Sequence, residues 1–366
     1  MKQNSINPTE VDFKKFNLEL RSLIRVRTPG MGLLLVLIAA YGCHHRSLPN
    51  INRGISSELL ETRAHEVLFA ALDSSDPTLR IHALEGLAQI NDLAVVPRIR
   101  QRLYDPAVAV RFAAAVAVGD CKDYAARDLL EILLTDKNVM VRMAAAYALE
   151  KMGDSRFLGD WYDAALYNND VKISGQACLL LGKLGNSPAR SDSREKLWRV
   201  MRKKDQSPAV LLQAAEALAR LNDEKILKKL LVYAGSIYAD DRLLAISGLQ
   251  LIGGQDSFAM LTVLADDPQI EVRLAAIRAL GGLAQEHNLT EVRRSLRYID
   301  EQSDPVATAR VRGLAVLALG ATGTEEDISA FSRCLSDESP YVCVAAARAV
   351  DDFLRRIRKK ASSEGI

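Results

Sequence analysis

The 366-residue chain reads as an all-α protein, a right-handed α-solenoid of about nine helix-turn-helix repeats. Three observations carry this expectation. Nine helix-forming segments hold Ala and, four residues later, Leu or Val, with the alanines at Ala83, Ala114, Ala145, Ala177, Ala214, Ala245, Ala276, Ala315 and Ala346. The residues three places before them are Arg80, Arg111, Arg142, Ser174, Leu211, Arg242, Arg273, Arg312 and Cys343, spaced by 31, 31, 32, 37, 31, 31, 39 and 31. The composition is 49% hydrophobic and 5% aromatic, with few alternating runs of β-branched residues, which favours helix over strand. A fixed period of this length means stacked units, each burying its apolar face only against its neighbours.

In chain order, residues 1–42 read as a leader. An uncharged apolar run from Met31 to Gly42 follows Arg21, Arg25 and Arg27. It is too short for the roughly 20 residues a membrane-spanning helix needs, and it fits the core of a signal peptide. It ends at Ala40-Tyr41-Gly42-Cys43, which resembles the bacterial lipobox, where a small residue precedes a cysteine that is lipidated and becomes the mature N-terminus. That resemblance implies a lipid anchor on Cys43, a flexible tether over residues 43–57, and a location outside the cytoplasm. His44 after the cysteine favours the outer membrane. The alternatives are an uncleaved leader on a cytoplasmic protein, or a buried helix. The leader carries six basic residues against Glu10, Asp12 and Glu19, so the rest of a chain of formal net charge +2 is near neutrality. No overall basic field argues for nucleic acid.

Residues 58–355 hold the repeats. Within each, the side that carries the Ala and the Leu or Val must face neighbouring helices, and the Ala marks an approach too close for a larger side chain. A turn stands before each of these helices, as at Asp76-Pro77, Asp105-Pro106, Asp136, Asp170, Ser207-Pro208, Asp267-Pro268, Asp304-Pro305 and Ser339-Pro340. Asp or Ser before Pro reads as an N-cap followed by the first helical position, where a missing amide hydrogen costs nothing. An earlier helix precedes each turn. The Asp-Pro turn, the Arg and the Ala-to-Leu spacing, as in Asp267 through Leu280, resemble the HEAT repeats, in particular the short bacterial variety related to phycobilin lyases. The resemblance covers about residues 58–355 and implies the fold; these repeats serve many roles.

Candidate functional residues follow from the register. Arg80, Arg111, Arg142, Arg242, Arg273 and Arg312 form a column, and in the resembled family such an Arg pairs with a turn Asp of its own or an adjacent repeat. A guanidinium matched in that way makes a poor phosphate site. The register places Lys151, Lys183 and Arg220 at one position in three successive repeats, a basic row beside Tyr147, with Glu216 and Arg278 on the same face. In the resembled solenoids this face lines the concave groove, so these six residues are the expected contact for a protein or peptide partner. Trp161, Tyr162 and Trp198 fall in first helices, where packing is the expected role. Cys121 and Cys178 read as core, while Cys334 and Cys343 flank one turn. The tail from residue 356, Arg356-Ile357-Arg358-Lys359-Lys360, reads as a basic, disordered end.

The motifs of several enzyme classes are absent: no phosphate-cradling Gly loop, no His-Glu-x-x-His and no Gly-x-Ser-x-Gly. The resemblance includes deoxyhypusine hydroxylase, whose His-Glu pairs repeat, whereas this chain has only His65-Glu66. The sequence therefore points to a lipid-anchored, non-enzymatic scaffold with no cofactor, metal or evident small-molecule substrate. The alternative is an enzyme or enzyme accessory of the lyase or hydroxylase kind.

Overall fold

A computed structural model describes residues 56–90, 94–157, 166–185, 192–302 and 304–364. The leader, the lipobox-like Cys43, nearly all of the tether, and Trp161-Tyr162 lie outside them. Residues Gly54–Ile366 form one compact unit, and among the described residues it is all helix: seventeen α-helices, joined by short 3-10 turns, and no strand. In chain order these are α1 (Ser57–Leu72), α2 (Pro77–Ile90), α3 (Val96–Gln101), α4 (Val108–Asp120), α5 (Arg127–Leu133) and α6 (Val139–Lys151). Next come α7 (Val171–Leu184), α8 (Ser193–Arg202), α9 (Pro208–Arg220), α10 (Leu227–Ala234), α11 (Ala239–Ile252) and α12 (Gly254–Leu264). The last are α13 (Ile270–Leu280), α14 (Glu286–Ser295), α15 (Pro305–Thr322), α16 (Ile328–Cys334) and α17 (Pro340–Glu364).

The nine alanines of the register sit on α2, α4, α6, α7, α9, α11, α13, α15 and α17, and every one is fully buried. These second helices pack each on the next in that order. The approach is close because small residues meet at the crossing. A Cβ on Gly119 would lie 2.7 Å from the Cα of Ala148, one on Gly182 the same distance from the Cα of Ala217, and one on Gly320 2.9 Å from the Cα of Ala349. The α-solenoid is thus built from helix backbones held almost in contact, with Leu, Val and Ile filling the layer between first and second helices.

The Asp-Pro turns do not all act in one way. Asp304 caps α15, its carboxylate accepting from the Val306 amide, and Pro305 is the first helical residue. At Asp105 and Asp267 the helix starts later, and the carboxylate closes a tight turn on the amide of Ala107 or Gln269. Both geometries satisfy an amide hydrogen that would otherwise be unpaired.

The solenoid does not end in free edges. Helix α17 packs against α1 and α2, so the last repeat stacks on the first and the unit closes into a ring. Arg348 pairs with Glu85 at 3.0 Å, Arg355 donates to the Gln89 carbonyl at 3.1 Å, and Arg358 grips both carboxylate oxygens of Glu61 at 3.1 and 2.5 Å. Arg63 of α1 reaches Ser332 of α16 at 3.2 Å. A Cβ on Gly86 would stand 2.9 Å from the Cγ of Arg348, so glycine here makes room for the arginine side chain that crosses the seam. The repeat period predicts the α-solenoid; its closure on itself is an additional feature of the structure. The expected disordered tail is corrected, since residues 356–364 are the last turns of α17. The physical reason is partners in reach: Arg356 donates to the Gly323 carbonyl, and Arg358 is held at the seam.

Candidate functional site: the inner face of the ring

Each Arg of the register column donates to backbone carbonyls of its own turn, and in most repeats it also reaches a carboxylate of the next repeat. Arg80 bonds Ser74 O and Asp105, Arg111 bonds Asp105 O and Asp136, and Arg242 bonds Ser236 O and both oxygens of Asp267, at 2.7 and 2.8 Å. Arg273 bonds Asp267 O and Glu291, and Arg312 bonds Tyr298 O, Asp337 and Glu338. Arg142 holds the carbonyls of Asp136 and Lys137. Two of the three residues that replace Arg in the column still bond the carbonyls of their own turn. Ser174 Oγ donates to Leu166 O and Asn168 O, and Cys343 Sγ to Asp337 O. At the seam, where Cys343 is too short to reach forward, the Tyr341 hydroxyl takes the turn carboxylate of Asp76. Burial and Asp76 push that phenol up to about 12.

A second set of rungs links first helices to the loops that follow. Arg100 chelates Asp123 at 2.6 and 2.7 Å, Trp198 Nε1 donates to Asp223 at 2.8 Å, and Arg293 chelates Asp327 at 2.9 and 3.0 Å. Arg127 and Arg156 converge on Asp154, and the hydrogen bond from Arg156 holds its carboxyl down at about 2.

The concave side is identified by pairs that skip a helix. Lys183 of α7 meets Asp120 of α4 at 2.9 Å across α6, and Arg278 of α13 approaches Asp352 of α17 to 3.8 Å across α15. Side chains two helices apart meet only inside a curve. Of the six residues expected as a partner surface, Lys183 and Arg278 make these inner-side pairs, and the six do not form one exposed row. Tyr147 is 0% exposed, its hydroxyl donating to Asp120 at 2.5 Å, which corrects its placing as a surface aromatic. Asp120 is the reason: it draws Tyr147 from one neighbour and Lys183 from the next. Arg220 pairs with Glu216 at 2.7 Å, and Arg278 is partly buried, its desolvation depressing the guanidinium. Lys151 alone of the basic three has no carboxylate partner among the described residues. Asp120 went unnoticed in the sequence, although it shares the register position of Lys151 and Lys183 and so was findable.

Near the seam the inner face carries His82, Glu85 and Arg348. Burial raises the Glu85 carboxyl, but His82 and Arg348 outweigh it and leave it below the usual range. Among the described residues no group of three or more His, Cys, Asp or Glu is placed to hold a metal ion. The described cysteines are free thiols, and burial pushes Cys121 and Cys334 up to about 11 and Cys178 to about 12, the reverse of an activated nucleophile.

Comparison with known proteins places the class of this architecture. Residues 65–150 and residues 258–287 each match the family of HEAT repeats, so the α-solenoid is one that carries HEAT repeats. A search against curated protein sequences returns no match. Among solved structures, human deoxyhypusine hydroxylase in complex with glycerol is similar at 19% identity, over 82% of this chain and 98% of that one, with a TM-score of 0.36. The CpcE–CpcF complex of phycocyanin lyase from Nostoc sp. PCC7120 is similar at 18% identity, over 73% of this chain and 97% of that one, with a TM-score of 0.37. These names correct the expectation that the chain is not an enzyme. Enzymes stand among the structures similar to it.

Proposed function

We propose that the ring binds a segment of another protein along the inner face of repeats 3 to 5, and works there as an enzyme or enzyme accessory of the lyase or hydroxylase kind. The observation that supports binding is the chemistry left over on that arc. Most inward charges are matched internally, yet Lys151 has no carboxylate partner among the described residues, and the side-chain carbonyl of Gln176 is buried without a hydrogen-bond donor. Gln213 lies beside that arc, a Cβ on Gly175 falling 3.7 Å from its Cγ, and the Glu216–Arg220 pair borders it. An extended segment offers carboxylates for Lys151 and amide hydrogens for the partly buried Gln176 side chain.

Crosslinking in cells through a photoreactive residue at Gln213, read by mass spectrometry, tests the reading. A partner captured by the native chain and lost in Lys151→Glu supports it; capture unchanged by that substitution and by Gln176→Leu removes it. Incubating the captured partner with the purified ring then separates the roles, since a mass change in the partner marks an enzyme and an unchanged mass a scaffold.

Anchoring is a separate proposal resting on Ala40-Tyr41-Gly42-Cys43. A lipid on Cys43 would hold the ring outside the cytoplasm. Palmitate labelling of the native chain that disappears in Cys43→Ser supports this, and labelling that is absent or persists in the variant refutes it.

A further inference from the structure

Across the described residues most arginines are engaged by carboxylates or carbonyls, and five of the lysines without an ion pair lie close together in sequence, between Lys203 and Lys229. Helices α8 and α10 are the first helices of successive repeats; α8 packs on α9, and α10 packs chiefly on α11 and to a lesser extent on α9, so both lie on the outer side of the row of second helices. Together with their following turns they span residues 193–205 and 224–238. These stretches hold nine lysines and arginines against three carboxylates, in a chain whose formal net charge is only +2. Glu195 is already taken by Arg199 and Arg202, at 3.4 and 2.8 Å. Lys203, Lys204, Lys225, Lys228 and Lys229 are exposed and form no ion pair with any described residue.

The same sector bears its apolar side chains outward. Ile237 and Tyr238, in the turn between α10 and α11, are 85% and 65% exposed, and Val232 on α10 is 72% exposed. The backbone beneath them is fixed: Arg242 holds the Ser236 and Ile237 carbonyls, and the Tyr238 amide donates to Ser236 Oγ. A rigid turn therefore presents an isoleucine and a tyrosine to solvent, next to the turn that presents Lys203 and Lys204 in the preceding repeat.

We propose that this outer sector is a docking face for an anionic membrane surface. The convexity of the outer side argues against a bound peptide, which needs a groove to lie in. Protruding apolar tips amid unpaired lysines match a bilayer interface, where lysine meets lipid phosphate and the apolar tip enters the headgroup layer. The reading depends neither on the inner-face contact nor on a lipid at Cys43.

The test uses the full chain carrying Cys43→Ser, with sedimentation of vesicles made of phosphatidylcholine alone or of equal parts phosphatidylcholine and phosphatidylglycerol. Expected is binding to the anionic vesicles, weakened by added salt, and at least tenfold weaker in a K203E/K204E/K228E/K229E variant. I237S/Y238S is expected to weaken it several-fold and to leave a residue that salt removes completely. All these positions are exposed; an unchanged circular dichroism melt certifies the fold, and K228Q/K229Q serves if the larger variant does not fold. Equal binding to neutral vesicles, or anionic binding untouched by the charge reversal, overturns the proposal. So does a charge reversal that abolishes retention on immobilised polyglutamate or duplex DNA while vesicle binding stays intact, because the face would then serve an acidic protein or a nucleic acid.

Discussion

Replacing Arg242 by Met tests whether the Arg–Asp rungs hold the array together. The thioether keeps much of the aliphatic packing, so the change isolates the guanidinium. It removes two short bonds to Asp267 and two to the carbonyls of Ser236 and Ile237, and both members of the ion pair are at least nine-tenths buried. Among the described residues, Asp267 then remains as a buried carboxylate compensated by the Gln269 amide alone. Breaking one partner of such a pair costs about 3–5 kcal/mol. Tyr341→Phe at the seam supplies the contrast: one phenol bond between exposed groups is lost, for about 0.5–1.5 kcal/mol. Urea unfolding followed by circular dichroism measures both, and amide hydrogen exchange over residues 264–270 locates the first. Adding Asp267→Asn to Arg242→Met should recover part of the loss by removing the stranded charge. An Arg242→Met chain within about 1 kcal/mol of the native one would refute the rung as a structural element.

Other consequences can be measured as directly. Ala276→Leu places a larger side chain at a fully buried crossing and should cost about 1–3 kcal/mol, so an unchanged melting temperature would count against the packing described. Asp154 has a carboxyl held down at about 2 in the folded state, chiefly by Arg156, against about 3.9 in an unfolded chain. Its stabilising contribution is therefore complete above about pH 4 and is lost as pH falls through about 2. Arg156→Gln should start that loss at a higher pH in an acid titration, and identical acid midpoints would dismiss the role. Glu61→Cys with Arg358→Cys should be joined by a short bis-maleimide in the native protein, as the ring requires; crosslinking no better than in denatured chain would mean an open solenoid.

Much of the architecture was legible because it repeats. The Ala-to-Leu spacing located all nine second helices, and those alanines are buried without exception. Closure was not legible. It depends on how a small rotation per repeat accumulates over nine units, and the residues that meet at the seam, such as Asp76 with Tyr341 or Glu61 with Arg358, are separated by nearly the whole array. The inner face was legible in position and not in state. Register arithmetic assigns Tyr147, Lys183 and Arg278 to one face, but whether a side chain there is free depends on what stands two helices away, as Asp120 and Asp352 show. The outer basic sector was hidden for another reason: its charge is balanced by acidic repeats elsewhere, so the whole-chain total conceals it.

Because α17 packs on α2 as each second helix packs on the next along the array, the ring has no intrinsic beginning. Joining the end of α17 to the start of α1 and cutting the chain at another inter-repeat turn would leave every stacking interface in place. Such a circular permutant should fold to the same ring, and this has an evolutionary corollary. A repeat gained or lost from an open solenoid merely changes its length, whereas here it alters the angle through which every interface must turn, so the repeat number is under geometric constraint in a way the individual repeats are not.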